Sequence, residues 1–271
     1  TATTGTLDKA EAITENNQAS FTYTAAAAGE DTANIASGAA NVPIAIVVNA
    51  PVAPHDVYVS KEGNDENDGS EESPVATIAK AIEIATGEDG SGQIIIKEGT
   101  YTGNGYEITK DLVITGEGNV ILDALNEGTR LFNIGYGSGV SNFELHNLVL
   151  DNLNSFYGAA VYSYASNLVL DNITITDIDS ESSRLITSNS NTTIKDSVFA
   201  NNTVSAIITQ GGNNNLNIIN TVIEGNNVTY DSSVFGVVYV SSGRGNLTIE
   251  DSKFYDNLVR QSTVRGYTDT N

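Results

Sequence analysis

The chain has 271 residues, with 12 Lys+Arg against 34 Asp+Glu and a net charge of −22. So large an acidic excess argues against nucleic acid or an anionic membrane as partner. With no cysteine there is no disulfide framework or Cys-based zinc site, and with only His55 and His146 a histidine-rich metal centre is excluded as well.

Residues 1–54 read differently from the rest. Strand-like stretches at Ser20–Ala25 and Ile44–Asn49 are separated by turn signals at Gly29-Glu30-Asp31 and Ser37-Gly38. The run Phe21-Thr22-Tyr23-Thr24 and the closing Ile44-Ala45-Ile46-Val47-Val48 resemble the last strands of Ig-like modules in prokaryotic surface proteins. Half a sandwich cannot bury its own face. Upstream sequence, or self-association with another copy, is therefore expected to complete it. Pro51-Val52-Ala53-Pro54 reads as a short, stiff linker. The longest apolar run, Val42–Val48, contains Pro43 and is too short for a membrane span. Neither a signal peptide nor an initiator Met is present, which fits a trimmed N-terminus.

A second unit, residues 55–271, opens with Val57-Tyr58-Val59 and an acidic turn from Gly63 to Ser70. Asn64, Glu66 and Asp68 ahead of Gly69 suggest a calcium loop, but its twelfth position is Val75 where a bidentate Glu is needed. A solvated turn is the expectation. Next, Ser73 as N-cap, Pro74 in the first turn and Gly87 as stop predict a helix over 74–86, with Ile78, Ile82 and Ala85 on one face. Such a helix would cover the open first coil of whatever follows. Irregular apolar runs come after it: Ile94–Ile96, Leu112–Ile114, Val120–Leu122 and Leu131-Phe132.

One motif then recurs five times, starting at Asn142, Asn167, Asn191, Asn215 and Asn246, spaced 25, 24, 24 and 31 residues apart. Such a period means stacked supersecondary units. The fourth residue is always aliphatic (Leu145, Leu170, Ile194, Ile218, Ile249) and the ninth is aliphatic or Phe (Leu150, Ile175, Phe199, Ile223, Phe254). The sixth is always Asn or Asp: Asn147, Asn172, Asp196, Asn220, Asp251. A turn residue follows at Asn152, Asp177, Asn201, Gly225 and Asp256, and then a third apolar run at Ala160-Val161, Leu185-Ile186, Ile207-Ile208, Val237-Val238 and Val264. Three short strands and three turns per repeat make one coil of a parallel β-helix, each strand pairing with its equivalent about 4.8 Å away. The Asn/Asp row is expected to be an internal or turn-lining ladder, since stacked amides bond one another and Asn and Asp tolerate left-handed backbone. On that ladder, a glycan at Asn172 would not fit. Five Asn-x-Ser/Thr sequences occur, at Asn172, Asn191, Asn201, Asn227 and Asn246, about as many as this composition gives by chance.

The run VYVSKEGNDENDGSEESPVATIAKAIEIA, followed by IIIKEGTY, ITKDLVITGEG and VILDA, resembles the entry segment of pectin-lyase-like right-handed β-helices. The downstream repeats with Phe-x-x-Asn endings, Phe199–Asn202 and Phe254–Asn257, resemble adhesin-like surface proteins of methanogenic archaea. The resemblance implies a piece of a large, exported, multidomain cell-surface protein; the lack of a closing cap signal before Asn271 leads separately to the expectation of further coils. The partners that the resemblance implies are glycans or other cell-surface proteins, and it implies no cofactor.

Three function classes compete. Adhesion is the first; tyrosines off the repeat core, Tyr157, Tyr162, Tyr164 and Tyr239, are the candidates to stack on sugar rings. A polysaccharide lyase or hydrolase would need clustered carboxylates beside a base, for which Asp177, Asp179, Glu181 and Arg184 are the best local set. Those residues sit at a turn rich in Asp and Ser, and the Asn-Thr-Asp, Asp-Asp and Gly-His-Gly signatures of polygalacturonases are absent, so no catalytic residue is assigned. A passive stalk is the third class. His146 is expected as solvated surface.

Overall fold

The computed structural model describes residues 6–7, 22–24, 29–37, 40–48, 56–88, 90–229, 236–241, 245–259 and 262–266. The chain divides into two compact units, Thr1–Ala53 and Pro54–Asn271. The expected linker at 51–54 and His55 lie outside the described residues.

In the first unit, Gly29–Ser37 pairs antiparallel with Ala40–Val48, and Thr6–Leu7 pairs antiparallel with Tyr23–Thr24. Gly29-Glu30-Asp31 is strand rather than turn. The long apolar strand opposite recruits it, in the pairs Gly29↔Val48, Glu30↔Val47 and Asp31↔Ile46. The hairpin closes at Ser37↔Ala40, in keeping with the turn signal there.

The second unit is a right-handed parallel β-helix, with every strand pairing in its two large sheets parallel. Its first sheet stacks eight strands from Val57–Val59 to Leu247–Glu250. Seven steps of ~4.8 Å make a stack about 34 Å long. The reason for this fold is legible in one column of residues. Val57, Ile94, Ile114, Leu145, Leu170, Ile194, Ile218 and Ile249 are neighbours in successive coils. All but Ile249 of the last coil are buried or nearly so. Each contributes on the order of 1.5–3 kcal/mol of apolar burial. The third apolar runs form a second column, Phe132, Val161, Ile186, Ile208, Val238 and Val264.

Two bends per repeat keep the column aligned. All five Asn/Asp residues of the sixth position have left-handed backbone, φ 46–56°. So do Asn152, Asp177, Asn201, Gly225 and Asp256 at the second bend. Asn, Asp and Gly adopt that conformation at the lowest cost, which is why no other residue type occupies either row.

The helix spans Ile78–Ala85, shorter than the expected 74–86, and its N-cap is Thr77 rather than Ser73. Val75 forms a parallel bridge with Val59, its N–H bonding the Tyr58 carbonyl at 2.9 Å. That pairing holds Pro74-Val75 extended, so the helix starts four residues later. Asp65 secures the start: its carboxylate accepts from the N–H groups of Ala76 and Thr77, both at 2.9 Å, and from the Thr77 hydroxyl at 2.8 Å. Asn64 and Asp68 accept from backbone N–H groups two residues on, the local chemistry of a turn. Ile78, Ala81, Ile82 and Ala85 are buried, and the helix lies against the strands Val57–Val59 and Gln93–Thr102 of the first coils.

Candidate functional site

The sixth-position row lies on the outside. Asn147, Asn172, Asp196, Asn220 and Asp251 are all exposed, because a left-handed residue at a convex bend projects its side chain away from the coil. Asn172 still donates to Asn147 Oδ1 at 3.0 Å, and Asn220 to Asp196 Oδ1 at 2.6 Å. The row lines the turn and is not internal; the steric objection to a glycan at Asn172 therefore falls.

The internal polar ladder lies elsewhere. Asn202 and Asn226 are fully buried. Each uses its amide to bond the preceding coil's backbone and the next coil's Asn. Asn202 Nδ2 donates to the Ile175 carbonyl at 3.0 Å and to Asn226 Oδ1 at 2.9 Å. Asn226 Nδ2 donates to the Phe199 carbonyl at 2.9 Å and to Asn257 Oδ1 at 2.8 Å. A parallel row of hydroxyls, Ser197, Thr221 and Ser252, accepts backbone N–H bonds one coil back. The earlier coils carry Leu148, Leu153, Ile173 and Ile178 at these two positions, all buried.

On the third face the column that alternates with the core column reads Glu107, Asn133, Tyr162, Thr187, Thr209 and Tyr239, and its last three members are buried. Tyr162 and Tyr239 thus share a column, but two threonines separate them. Tyr239 is only 8% exposed, too buried for its ring to stack on a sugar. The other three tyrosines belong to one cluster with residues that carry no repeat signal. The Tyr162 and Tyr164 rings meet at 5.4 Å, Tyr164 meets Tyr136 edge-on at 5.5 Å, and Phe156 meets Tyr157 edge-on at 4.5 Å. Two arginines bind the cluster together. Arg130 lies 3.8 Å over the Tyr162 ring, and Arg184 lies 4.3 Å over the Tyr157 ring and 5.2 Å from Phe156. Burial, and then the hydrogen bond with the Tyr164 hydroxyl, push the Tyr162 phenol above the usual tyrosine range.

Beside this cluster is an open groove of about 430 Å³, lined by Gly105, Glu107, Gly128, Thr129, Arg130, Asn133, Ser155, Phe156 and Tyr157. A relay of planar groups forms its polar part. Arg130 donates to the Tyr157 carbonyl at 2.9 Å and to Asn133 Oδ1 at 2.7 Å. Asn133 Nδ2 in turn donates to both Glu107 oxygens, at 2.8 and 2.6 Å. Phe156 and Tyr157 stay 45% and 42% exposed at its apolar wall. Of the expected stacking residues only Tyr157 lines the groove; Phe156, Arg130, Asn133, Glu107 and the 88%-exposed Tyr136 were not marked by the sequence. Aligning the third apolar runs and reading one residue past them would have placed Glu107, Asn133 and Tyr162 in one column.

The acidic set expected for an enzyme divides in character. Asp177, Asp179 and Glu181 are exposed, whereas Arg184 is 8% exposed and belongs to the aromatic cluster. His146 points outward as expected but is half-buried in an ionic cluster, not freely solvated. Its ring nitrogens contact Glu144 at 2.9 Å and Asp171 at 3.1 Å, and Lys195 joins Asp171 at 3.0 Å. The Asn142 amide, against partial burial and with help from His146, holds the Glu144 carboxyl below its usual range. Among the described residues no group of three or more His, Cys, Asp or Glu side chains is arranged to hold a metal ion.

Residues 61–268 match the family described as "Protein of unknown function (DUF1565)". The chain belongs to the DUF1565 family. No curated protein matches this DUF1565 chain. A solved structure named "Rhamnogalacturonan lyase" aligns with a TM-score of 0.34 and 16% identity, covering 73% of this chain and 50% of its own. The DUF1565 chain thus spans half the length of that protein.

Proposed function

We propose that this chain is an extracellular, cell-surface module of the adhesin-like type, and that it holds glycans in the groove between Phe156–Tyr157 and the Arg130–Asn133–Glu107 relay. The observation that carries the reading is the joining of two exposed aromatic rings to a fixed set of planar hydrogen-bonding groups in one open depression. Sugar sites are built of these parts: a ring that covers the C–H face of a pyranose, and oriented polar groups that bond its hydroxyls. The rest of the surface supports a display role, because the exposed bends of the β-helix are Asn, Asp and Gly rather than a convergent acid–base pair. Completion of the first unit by a second copy belongs to the same proposal, and sedimentation of the chain over a concentration series tests it.

The test of the main reading is a glycan-array screen of the chain beside its Phe156→Ala and Tyr157→Ala variants. Binding to defined glycans that both variants lose, with melting unchanged, supports the reading. Release of unsaturated or reducing ends from uronic-acid polymers would promote a lyase or hydrolase in its place. Absence of both binding and turnover would leave the stalk.

A further inference from the structure

We infer, resting on the glycan-binding reading, that the groove selects uncharged pyranoses with neighbouring hydroxyls and rejects uronic-acid or sulfated residues. The charge of its polar part is already matched internally. One guanidinium, Arg130, and one carboxylate, Glu107, line the groove, and the Asn133 amide couples them through bonds of 2.6–2.8 Å. The second arginine nearby, Arg184, is 8% exposed beneath the aromatic pair and does not line the groove. A carboxylated sugar would bring a second anion next to Glu107 with no further cation to receive it, inside the field of a chain of net charge −22.

The remaining hydrogen-bonding capacity points the same way. Arg130 has five N–H donors; its Nε and one terminal nitrogen hold the Tyr157 carbonyl and Asn133, leaving donors free on the fork. Each Glu107 oxygen accepts one bond from Asn133 and keeps acceptor capacity. The groove therefore offers donors and acceptors side by side. A hydroxyl can both donate and accept, so a pair of adjacent sugar hydroxyls satisfies both. A ligand carboxylate only accepts and would leave the Glu107 side unmatched.

The experiment uses the full chain against saccharide pairs matched in anomer and linkage that differ in oxidation at C6: α-1,4-linked galactose oligomers with α-1,4-oligogalacturonate, and β-1,4-mannan with β-1,4-polymannuronate. The neutral member of at least one pair is expected to bind ten-fold or more tightly than its acidic partner. Phe156→Ala and Tyr157→Ala should each weaken that binding ten-fold or more. Glu107→Gln, which removes the charge and keeps the shape, should narrow the neutral-to-acidic ratio several-fold. Preference for the acidic member in wild type would overturn this inference and leave glycan binding standing. Binding to neither member of any pair, or binding indifferent to both aromatic substitutions, would overturn the inference together with the reading on which it rests. Melting curves of each variant separate loss of binding from loss of fold.

Discussion

Replacing Asn226 by Leu tests whether the buried amide ladder, rather than the exposed Asn/Asp row, holds the later coils in register. Asn226 is fully buried, and its Oδ1 accepts from both the N–H and the Nδ2 of Asn202, each at 2.9 Å. Its own Nδ2 supplies the Phe199 carbonyl at 2.9 Å. Leucine removes the partner of the Asn202 N–H, the Asn226 bond to the Phe199 carbonyl and one of the two bonds of Asn202 Nδ2, which keeps the Ile175 carbonyl, in a space closed to water. At ~1–3 kcal/mol for each unsatisfied group, the loss is about 3–9 kcal/mol. The apolar side chain returns ~1–2 kcal/mol of burial, so the net destabilisation is on the order of 1–8 kcal/mol. Leu and Ile occupy the equivalent positions Leu153 and Ile178 in earlier coils, so shape alone does not forbid the change. Urea denaturation gives the magnitude, and amide exchange at Asn202 locates it. The control is Asn172→Gly: φ there is 53°, which glycine accepts freely, and only one exposed 3.0 Å bond is lost, so the change should stay within ~0.5 kcal/mol. A loss below ~1 kcal/mol for Asn226→Leu, or equal losses for the two variants, would refute the assignment of the ladder.

Thr187 and Thr209 carry buried hydroxyls with no hydrogen-bond partner among the described residues, so the double change to Val should raise stability by ~1 kcal/mol or more; a lower melting temperature would show that the hydroxyls are bonded. For Asp65, partial burial favours the neutral form, but the Thr77 hydroxyl and the N–H groups of Thr77 and Ala76 outweigh it and hold the carboxyl below its usual range. A depressed folded value stabilises the protein above the unfolded pKa, and that contribution disappears as pH falls through the folded one. Acid titration of the helix signal should therefore be steeper in wild type than in Asp65→Ala, and identical profiles would count against the cap. Ile82, 9% exposed against the first coils, should cost ~3 kcal/mol or more as Asp, with exchange protection lost first in Val57–Val59 and Gln93–Thr102; wild-type protection there would end the capping role of the helix.

The coils were legible in the sequence because a solenoid repeats its constraints. Each fourth-position aliphatic meets its copy in the next coil, so the column from Leu145 to Ile249 could be written down from spacing alone. The same holds for the bends, where the need for left-handed backbone restricts the choice to Asn, Asp or Gly. Which way those bend residues point was not legible. An amide can stack inside or outside a turn with the same spacing, and Asn172 lies outside. The true internal row begins only at Asn202, with Leu153 and Ile178 apolar at that position, so its Phe-x-x-Asn signal at Phe199–Asn202 and Phe254–Asn257 reads as a family resemblance and not as a ladder. The helix start was misplaced by Val75, whose pairing with Val59 is a long-range constraint that overrides a good local N-cap signal at Ser73.

The groove was the least legible feature, for a related reason. Its walls come from connections that break the period, Gly128–Arg130 and Ser155–Tyr157, and its polar part from two residues 26 apart in sequence, Glu107 and Asn133. In the coil body each residue answers to its copy above and below, and substitution there disturbs the neighbouring coils. The aperiodic connections are under no such constraint and can gather unlike side chains, an aromatic pair, a guanidinium, an amide and a carboxylate, around one depression. A site in a solenoid is thus best sought where the repeat fails to account for a residue. By that criterion Phe156, Tyr157 and Arg130 rank ahead of every member of the Asn/Asp row, and ahead of Tyr239, which sits buried in a periodic column.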